Sequence, residues 1–403
     1  MRGATEKMPN ERRSWRHSLP LALLLLWLAG IGLRLTILAV PPVLAIIRDD
    51  FGLSATEVGL LSSIPPALFA IAALAGSLLV ARLGVTTALV GGLLLVAIGS
   101  ALRGLATDFA ILFATTIVMS AGIAIMQPIM PAAVRLWTPS RIGLGTAIYT
   151  NGLLVGEIFP VLLTLPYVLP WVGGDWRMSL VAWSAPIALI AIAVYAGAPR
   201  PGVHRAAPST MPRRWLPDWH KSLVWRLGGL FCCINAIYFS ANAFIPIYLT
   251  SAGRPDLISG ALTALNFGQL PSSLLLLAFA GRLERKAWPY LASGLLSLLA
   301  IAGFTLMVGP ATIVWAALLG FSDAAALIVG LTLPALLCPP DDVARTSAGM
   351  FTLSYGGAVV IAVISGAAWD ISGVPALAFV PLAICGVALA AIALRMRARK
   401  ELL

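Results

Sequence analysis

Apolar runs of about 20 residues, separated by short polar or Gly- and Pro-rich turns, follow one another along the whole chain. A helix needs about this length to cross the ~30 Å hydrocarbon core of a bilayer. The runs are too long for barrel strands and do not alternate in polarity, so we expect helices. The pattern predicts twelve of them, near residues 20–47, 57–80, 85–105, 109–136, 142–168, 177–197, 222–250, 257–281, 287–308, 310–338, 345–368 and 374–395.

The two halves of the chain resemble each other. The second predicted helix reads GLLSSIPPALFAIAALAGSLLVAR and the eighth reads GALTALNFGQLPSSLLLLAFAGR, with proline in the middle and arginine at the end of both. Parallel six-helix repeats, related by an axis along the membrane normal, are a known transporter architecture. We therefore expect an all-α integral membrane protein built from two pseudo-symmetric six-helix bundles.

A segment rich in Pro and Arg divides the two halves and is typical of a cytoplasmic linker. The predicted organisation has five parts. They are a cytoplasmic N-terminal tail, a first bundle, the linker, a second bundle and a cytoplasmic C-terminal tail, at residues 1–19, 20–197, 198–221, 222–395 and 396–403.

Composition supports a membrane protein. Hydrophobic residues make up 60% of the chain and charged residues 11%, with a mean hydropathy of +0.95, whereas soluble domains carry roughly 25% charged residues. The net charge of +11 suits the anionic lipid of an inner leaflet, so no nucleic-acid partner is needed to explain it.

The distribution of positive charge predicts the orientation. With the N-terminus in the cytoplasm, 22 of the 27 Lys and Arg residues lie in cytoplasmic segments, as the positive-inside rule requires. Arg34 falls inside a span, and Arg48, Arg103, Arg177 and Arg254 fall on the far side. We expect a multi-pass protein of the cytoplasmic (inner) membrane with both termini in the cytoplasm.

Several kinds of chemistry are absent from the sequence. No Walker-type phosphate-binding motif occurs, and none of the four lysines follows a glycine, so an ATP-driven pump is excluded within this chain. The three histidines lie in predicted cytoplasmic segments, and the four cysteines form no spaced metal motif. We therefore expect no metal, no cofactor and no enzymatic activity. We also expect the chain to be a monomer.

Three charged side chains are predicted to lie deep in the membrane: Arg34, Glu157 and Asp323. Each is roughly 13–15 residues from an end of its predicted helix, which is about 20 Å at a rise of 1.5 Å per residue. An isolated charge at the midplane costs at least about 2 kcal/mol, and transporter substrate sites lie at this depth, between the repeats. The three residues are therefore candidates for function.

Short motifs in these helices resemble those of a known transporter family. The matching fragments are Leu33-Arg34 followed by Pro41, DFGLS at 50–54, GLLSSIP at 59–65, T-A-x-Y-T at 146–150, DWRxSL at 175–180, and Tyr238 with Pro246. On these fragments the chain is identified as a member of the major facilitator superfamily. Over residues 20–395 it resembles the cyanate/2-nitroimidazole (CynX/NimT-like) transporters. It departs from the family's N-L-R-P motif, because Gly32 stands in place of the asparagine and Leu35 in place of the proline. In the superfamily's loop motif after helix two, Ala81 stands where an acidic residue usually precedes the arginine, here Arg82.

The resemblance implies that helices one, four, seven and ten line a central cavity, which leaves two interpretations of Arg34. In the first, its planar guanidinium faces the cavity and binds an anionic group of the substrate. In the second, it forms an ion pair with Glu157 that only holds helices one and five together. The two interpretations are compatible if the substrate competes for the pair.

The two deep acids also have alternative roles. Burial favours the neutral form of a carboxyl group, so Glu157 could carry a proton, or it could be a fixed counter-ion of Arg34. Asp323 could be the proton site or a gating partner of Arg34. The alternative is a hydrogen-bonded contact between helices beside Ser322.

Neutral polar side chains recur at helical spacing and suit hydrogen bonding to a small polar ligand. The same side chains could equally be interhelical contacts worth about 1 kcal/mol or less each. Asn235, Tyr238 and Asn242 share one face of the seventh helix, and Asn266 and Gln269 share one face of the eighth. The remaining candidates are Tyr149, Asn151 and Tyr355.

We therefore predict a secondary active transporter that moves a small anion, weak acid or small polar heterocycle by alternating access, with Arg34 as the anion contact. Coupling to protons is the expected energy source, because two deep acids are present and no ATP site is. The alternative is a drug/proton antiporter that exports a small heterocyclic or cationic compound through Glu157 and Asp323. The two-fold repeat argues against a channel.

Overall fold

The computed structural model describes residues 11–198, 217–274, 286–307, 309–338 and 343–398, and all secondary structure in these residues is helical. The main helices, which we number in chain order, are α1 (Glu11–Gly32), α2 (Ala55–Leu83), α3 (Val85–Leu102), α4 (Phe109–Trp137), α5 (Ile142–Leu163), α6 (Trp176–Gly197), α7 (Ser222–Ser251), α8 (Ile258–Phe267), α9 (Trp288–Leu306), α10 (Ala311–Leu337), α11 (Val343–Ser372) and α12 (Val380–Ala398).

Ten helical stretches in the described parts of the chain are long and apolar enough to cross a membrane. The ten stretches do not include α2 or α8. In α2 the apolar stretch is the shorter Ala55–Ile71. The predicted eighth span, 257–281, runs into residues 275–285, which lie outside the described part. Apart from the first helix, which begins at Glu11 inside the predicted tail, the predicted ends agree with the described helices to within a few residues; the seventh helix, predicted at 222–250, spans Ser222–Ser251. The prediction of a helical, multi-pass membrane protein is confirmed. Most of the predicted linker and residues 1–10 of the predicted tail lie outside the described residues.

The prediction of one continuous first helix over 20–47 is wrong. α1 ends at Gly32, and the amides of Leu33 and Arg34 donate to carbonyls three residues back, which closes a tight turn. Further along, Pro41 and Pro42 have no amide hydrogen to donate to the carbonyls of an α-helix. The span therefore continues in three short segments, Leu35–Leu38, Pro41–Val43 and Leu44–Phe51.

Helix contacts in the first half recur in the second half, shifted by six helices. α1 packs on α5 as α7 packs on α11, and α2 packs on α4 as α8 packs on α10. Likewise α3 contacts α4 and α6, while α9 contacts α10 and α12. The contacts between the halves also correspond, because α2 meets α11 and α5 meets α8. The predicted architecture of two pseudo-symmetric bundles is confirmed by this arrangement.

The two halves are closely packed at one end of the molecule, which we call the Asp370 end. There the carboxylate of Asp370 in α11 accepts hydrogen bonds from the amides of Ala55 and Thr56, at 2.9 and 2.7 Å, and so caps α2 of the other half. Nearby, a Cβ atom on Gly59 would lie only 2.6 Å from the carbonyl oxygen of Ala362. We call the opposite end, where α6 finishes and α7 begins, the linker end.

Candidate functional site

Close packing of α1 against α5 brings two of the predicted deep charges together. A Cβ atom on Gly156 of α5 would lie 2.6 Å from the carbonyl oxygen of Ile31, and Gly30 and Gly152 are packed at least as tightly. Helix backbones approach this closely only where side chains are small. Because Glu157 follows Gly156, and Arg34 lies in the turn at the end of α1, the glycine contact sets these two side chains beside each other.

Arg34 and Glu157 form a buried ion pair. Arg34 Nε lies 3.2 Å from Glu157 Oε1, and the two residues are only 9% and 3% exposed. Each charge compensates the other where water cannot. Arg34 Nη1 has no hydrogen-bond partner among the described residues. The guanidinium therefore keeps a donor that a ligand could use.

Aromatic rings from both halves surround the guanidinium. Arg34 Cζ lies 5.7 Å from the ring centre of Phe69 in α2 and 5.9 Å from that of Phe239 in α7, within the range of cation–π attraction. The predicted site residue Tyr355 packs edge-to-face against both rings, with centroid distances of 5.3 and 6.3 Å. Its hydroxyl accepts a hydrogen bond from Gln127 Nε2 at 3.3 Å, which joins α11 to α4.

A network of amides and a tyrosine extends from the ion pair into the second half. Gln269, just beyond the end of α8, donates from Nε2 to Glu157 Oε2 in α5 at 3.1 Å, across the interface between the two halves. Asn266 is adjacent: its Oδ1 accepts from the hydroxyl of Tyr238 at 2.9 Å, and its Nδ2 donates to Asn242 Oδ1 at 3.0 Å. The structure thus brings four of the predicted polar residues together with Arg34 and Glu157: Tyr238, Asn242, Asn266 and Gln269.

Two other predicted residues lie elsewhere in the second half. Asn235 is buried and donates to Ser354 Oγ at 2.7 Å, which joins α7 to α11. Asp323 is 5% exposed, and its Oδ1 has no hydrogen-bond partner in the described part of the chain. Its neighbour Ser322 shares a hydrogen bond with a serine of α9 at 2.9 Å. No ion pair between Asp323 and Arg34 is present in the described residues, and the proposed gating contact remains a prediction.

Tyr149 and Asn151 are not brought to the ion pair. Asn151 is exposed, and its Oδ1 accepts a hydrogen bond from Trp27 Nε1 at 2.9 Å, which joins α5 to α1 nearer the linker end. Tyr149 is half-buried, and its carbonyl oxygen packs against Gly30. Their suggested roles in binding substrate stay predictions.

Arg103 is a buried charge that the sequence argument missed. It follows the last residue of α3, at the end of the predicted span, and is 0% exposed. The expectation that Arg34 is the only deeply buried base is therefore wrong, whereas the predicted side of the membrane for Arg103 stays a prediction. Its Nη2 donates to the carbonyl oxygen of Thr36 at 3.1 Å and to Ser100 Oγ at 2.8 Å. The sequence signal for its burial was a basic residue at the very end of an apolar run, where a neighbouring helix could cover it.

The family is decided by comparison with known proteins. The protein-family sequence model described as Major Facilitator Superfamily matches residues 23–308, more than half of the chain. The chain belongs to the Major Facilitator Superfamily. This protein is therefore a secondary transporter that spans the membrane many times and acts on a small molecule, and it is not an enzyme.

Curated relatives within the superfamily agree with the motifs. The chain is 28% identical over 302 residues to the cyanate transport protein CynX of Escherichia coli (strain K12), covering 74% of this chain and 76% of the relative. It is 25% identical over 320 residues to the 2-nitroimidazole transporter of the same organism, covering 79% and 80%. The resemblance to the cyanate/2-nitroimidazole transporters is confirmed.

Solved structures show the same fold. A peptide transporter in complex with sulfate has a TM-score of 0.73 at 14% identity and covers 98% of this chain and 99% of its own. The nucleoside transporter NupG has a TM-score of 0.72 at 13% identity, covering 94% and 99%. At such identities the likeness concerns the fold alone.

Proposed function

We propose that this transporter moves a small monovalent anion or weak acid by alternating access, and that Arg34 contacts the anion. The observation that carries the proposal is the buried Arg34 guanidinium at the break in the first span, where Nη1 has no hydrogen-bond partner among the described residues. Substrate sites of transporters lie near the midplane and are commonly formed by discontinuous helices. A guanidinium also offers paired donors to a small anion.

We infer that Glu157 couples transport to protons by releasing Arg34. In the ion pair the carboxylate balances the guanidinium. An anion that binds Arg34 in its place adds a second negative charge to a buried site, and proton uptake by Glu157 removes this excess. One proton would then move with each monovalent anion, and the loaded site would have the same net charge as the ion pair.

The name of the cyanate relative supports a small anion as cargo. The name of the 2-nitroimidazole relative supports a second candidate, a small polar heterocycle. That cargo would hydrogen-bond to the amides of Asn266 and Gln269 while Arg34 stayed paired with Glu157. In this case Asp323, which is not part of the ion pair, would carry the exchanged proton, and the protein would work as an exporter.

For the orientation we propose that both termini and the linker end face the cytoplasm, so that the Asp370 end faces outward. The support is the distribution of charge: 22 of 27 Lys and Arg residues then lie on the cytoplasmic side. The five-part division, with bundles at 20–197 and 222–395, is proposed on the same basis together with the repeated helix contacts.

Thermal unfolding of the purified protein with a panel of ligands tests the proposal. The panel holds cyanate, thiocyanate, nitrite, formate and 2-nitroimidazole. We expect at least one anion to raise the melting temperature of the wild type in a saturable manner, because a ligand at 100 times its dissociation constant stabilises by about 2.7 kcal/mol. Arg34→Gln should lose this rise.

The matched control is Arg254→Gln, which removes an exposed arginine from an ion pair with Asp256 of 2.8 Å. It should keep the full rise. Stabilisation by 2-nitroimidazole alone would favour the heterocycle exporter instead. Equal stabilisation of Arg34→Gln by the anion would rule out the Arg34 contact.

A further inference from the structure

A small cavity lies beside the broken first span. It has a volume of about 40 Å³ and is bounded by the segment Leu35–Leu38 and by α2, α4 and α7. One water molecule requires roughly 10–15 Å³, so the cavity has room for a ligand of only a few heavy atoms. Its polar lining residues are Ser62, Arg103, Thr116, Tyr238 and Asn242.

Arg103 is the charged group of this cavity, and its charge is not balanced by any carboxylate in the described part of the chain. Two of its hydrogen bonds, both from Nη2, go to neutral oxygens of Thr36 and Ser100. Its Nε and Nη1 are buried and have no hydrogen-bond partner among the described residues. An ionised group in this position is very costly unless it is paired.

The surroundings of Arg103 supply only part of that compensation. It follows the C-terminus of α3, where the helix dipole provides about half a negative charge. Thr116 and Asn242 also line the cavity, but neither forms a hydrogen bond with Arg103 in the described part of the chain. The hydroxyl of Thr116 and the amide of Asn242 donate instead to backbone carbonyls, at 2.7 and 3.0 Å. Two donor nitrogens with three N–H groups, and most of a positive charge, therefore remain unpaired at Arg103 among the described residues.

We propose that the buried guanidinium of Arg103 turns toward this cavity and there binds a small monovalent anion through Nε and Nη1, at a position distinct from Arg34 and nearer the Asp370 end. Tyr238 and Asn242 line the cavity and also belong to the network that reaches Glu157. Phe239 of α7 also lines the cavity, and its ring centre lies 5.9 Å from Arg34 Cζ, so α7 contributes side chains to both positions. That this anion is also the transported substrate rests on the proposed function, whereas the binding of an anion at Arg103 does not.

The two positions give a path with two steps. An anion entering from the Asp370 end meets the fixed charge of Arg103 before it meets Arg34, whose charge is already engaged by Glu157. Arg103 then holds the anion until Glu157 releases Arg34. In the direction of export the order is reversed.

Anomalous diffraction from crystals of the full-length protein soaked in sodium bromide tests this proposal. We expect wild-type crystals to show one bromide peak within hydrogen-bonding distance of Arg103 and another near Arg34. Arg103→Met should lose only the first peak. Arg103→Lys keeps the positive charge and should retain bromide there, which makes it the control for a change of fold.

A wild-type map without a peak at Arg103, or a peak that persists in Arg103→Met, would overturn the inference. A peak at Arg103 with none at Arg34 would support the inference and count against the proposed role of Arg34. A peak at Arg34 alone would do the reverse, so the two proposals can fail separately.

Discussion

The ion pair of Arg34 and Glu157 consists of two residues that respond differently to the loss of a partner. A guanidinium does not lose its proton in a protein, whereas a carboxylate can be neutralised by taking one up. Both groups are buried, at 9% and 3% exposure. Removal of Glu157 therefore leaves a permanent buried charge, while removal of Arg34 leaves an acid that can become neutral.

We predict that Glu157→Gln lowers the free energy of unfolding by roughly 3–5 kcal/mol and that Arg34→Met lowers it less. The double variant Arg34→Met/Glu157→Gln should be more stable than Glu157→Gln alone, because no unpaired charge remains. Thermal unfolding of all four proteins in detergent gives the double-mutant cycle. Losses that simply add would show that the two side chains do not stabilise each other.

Helical spacing selected several residues that the structure places side by side, although their roles stay predictions. Arg34, Glu157 and Gln269 lie together, and Tyr238, Asn242 and Asn266 extend the same network, because charges and amides within apolar helices pair with one another inside the bundle. Spacing could not predict Arg103, because a residue at the end of a run is exposed or covered according to how its neighbours pack. It also could not show that Asn151 is turned toward Trp27.

At the scale of the helices, the site depends on the glycine contact between α1 and α5. Gly156 immediately precedes Glu157, and a Cβ atom there would lie 2.6 Å from the backbone oxygen of Ile31. Since backbone cannot rotate out of the way as a flexible side chain can, one added methyl group must move the two helices apart. The distance between Arg34 and Glu157 would grow with that movement.

We predict that Gly156→Ala lowers the melting temperature and weakens the anion-dependent rise, since the two charges are no longer held in register. The control is Gly91→Ala in α3, because a Cβ atom at Gly91 meets nothing within 4 Å. That change should be neutral or stabilising by up to about 1 kcal/mol. An unchanged melting temperature for Gly156→Ala would show that the glycine contact is not tight in solution.

The break in the first span shows a limit of apolar patterns. Residues 20–47 are hydrophobic almost throughout, and this predicts that the segment enters the membrane but not whether its helix is continuous. Pro41 and Pro42 were the signal available, because neither can donate to the helix. The turn at Leu33 and Arg34 carries no comparable mark, since it consists of hydrogen bonds made three residues back.

At the scale of the whole molecule, the candidate site lies where the two halves meet. Glu157 belongs to the first half and Gln269 to the second, and their hydrogen bond crosses the interface between α5 and α8. The symmetric interface, between α2 and α11, carries the Asp370 cap. A change at Glu157 therefore acts directly on a contact that must rearrange if the halves rock. The sequence predicted the two bundles through length, polarity and repetition, but cross-half contacts depend on helix rotations that those features do not specify.

Initial rates of uptake into proteoliposomes test the central claim, that Arg34 binds the transported anion. The probe is a labelled form of whichever panel anion most raises the melting temperature, measured with and without an inward proton gradient. We predict saturable wild-type uptake that the gradient accelerates. Arg34→Gln should lose about 10- to 100-fold in kcat/KM, the range for a lost hydrogen bond to a charged group, while Arg254→Gln transports normally. Uptake by Arg34→Gln with the wild-type rate and KM would contradict the account.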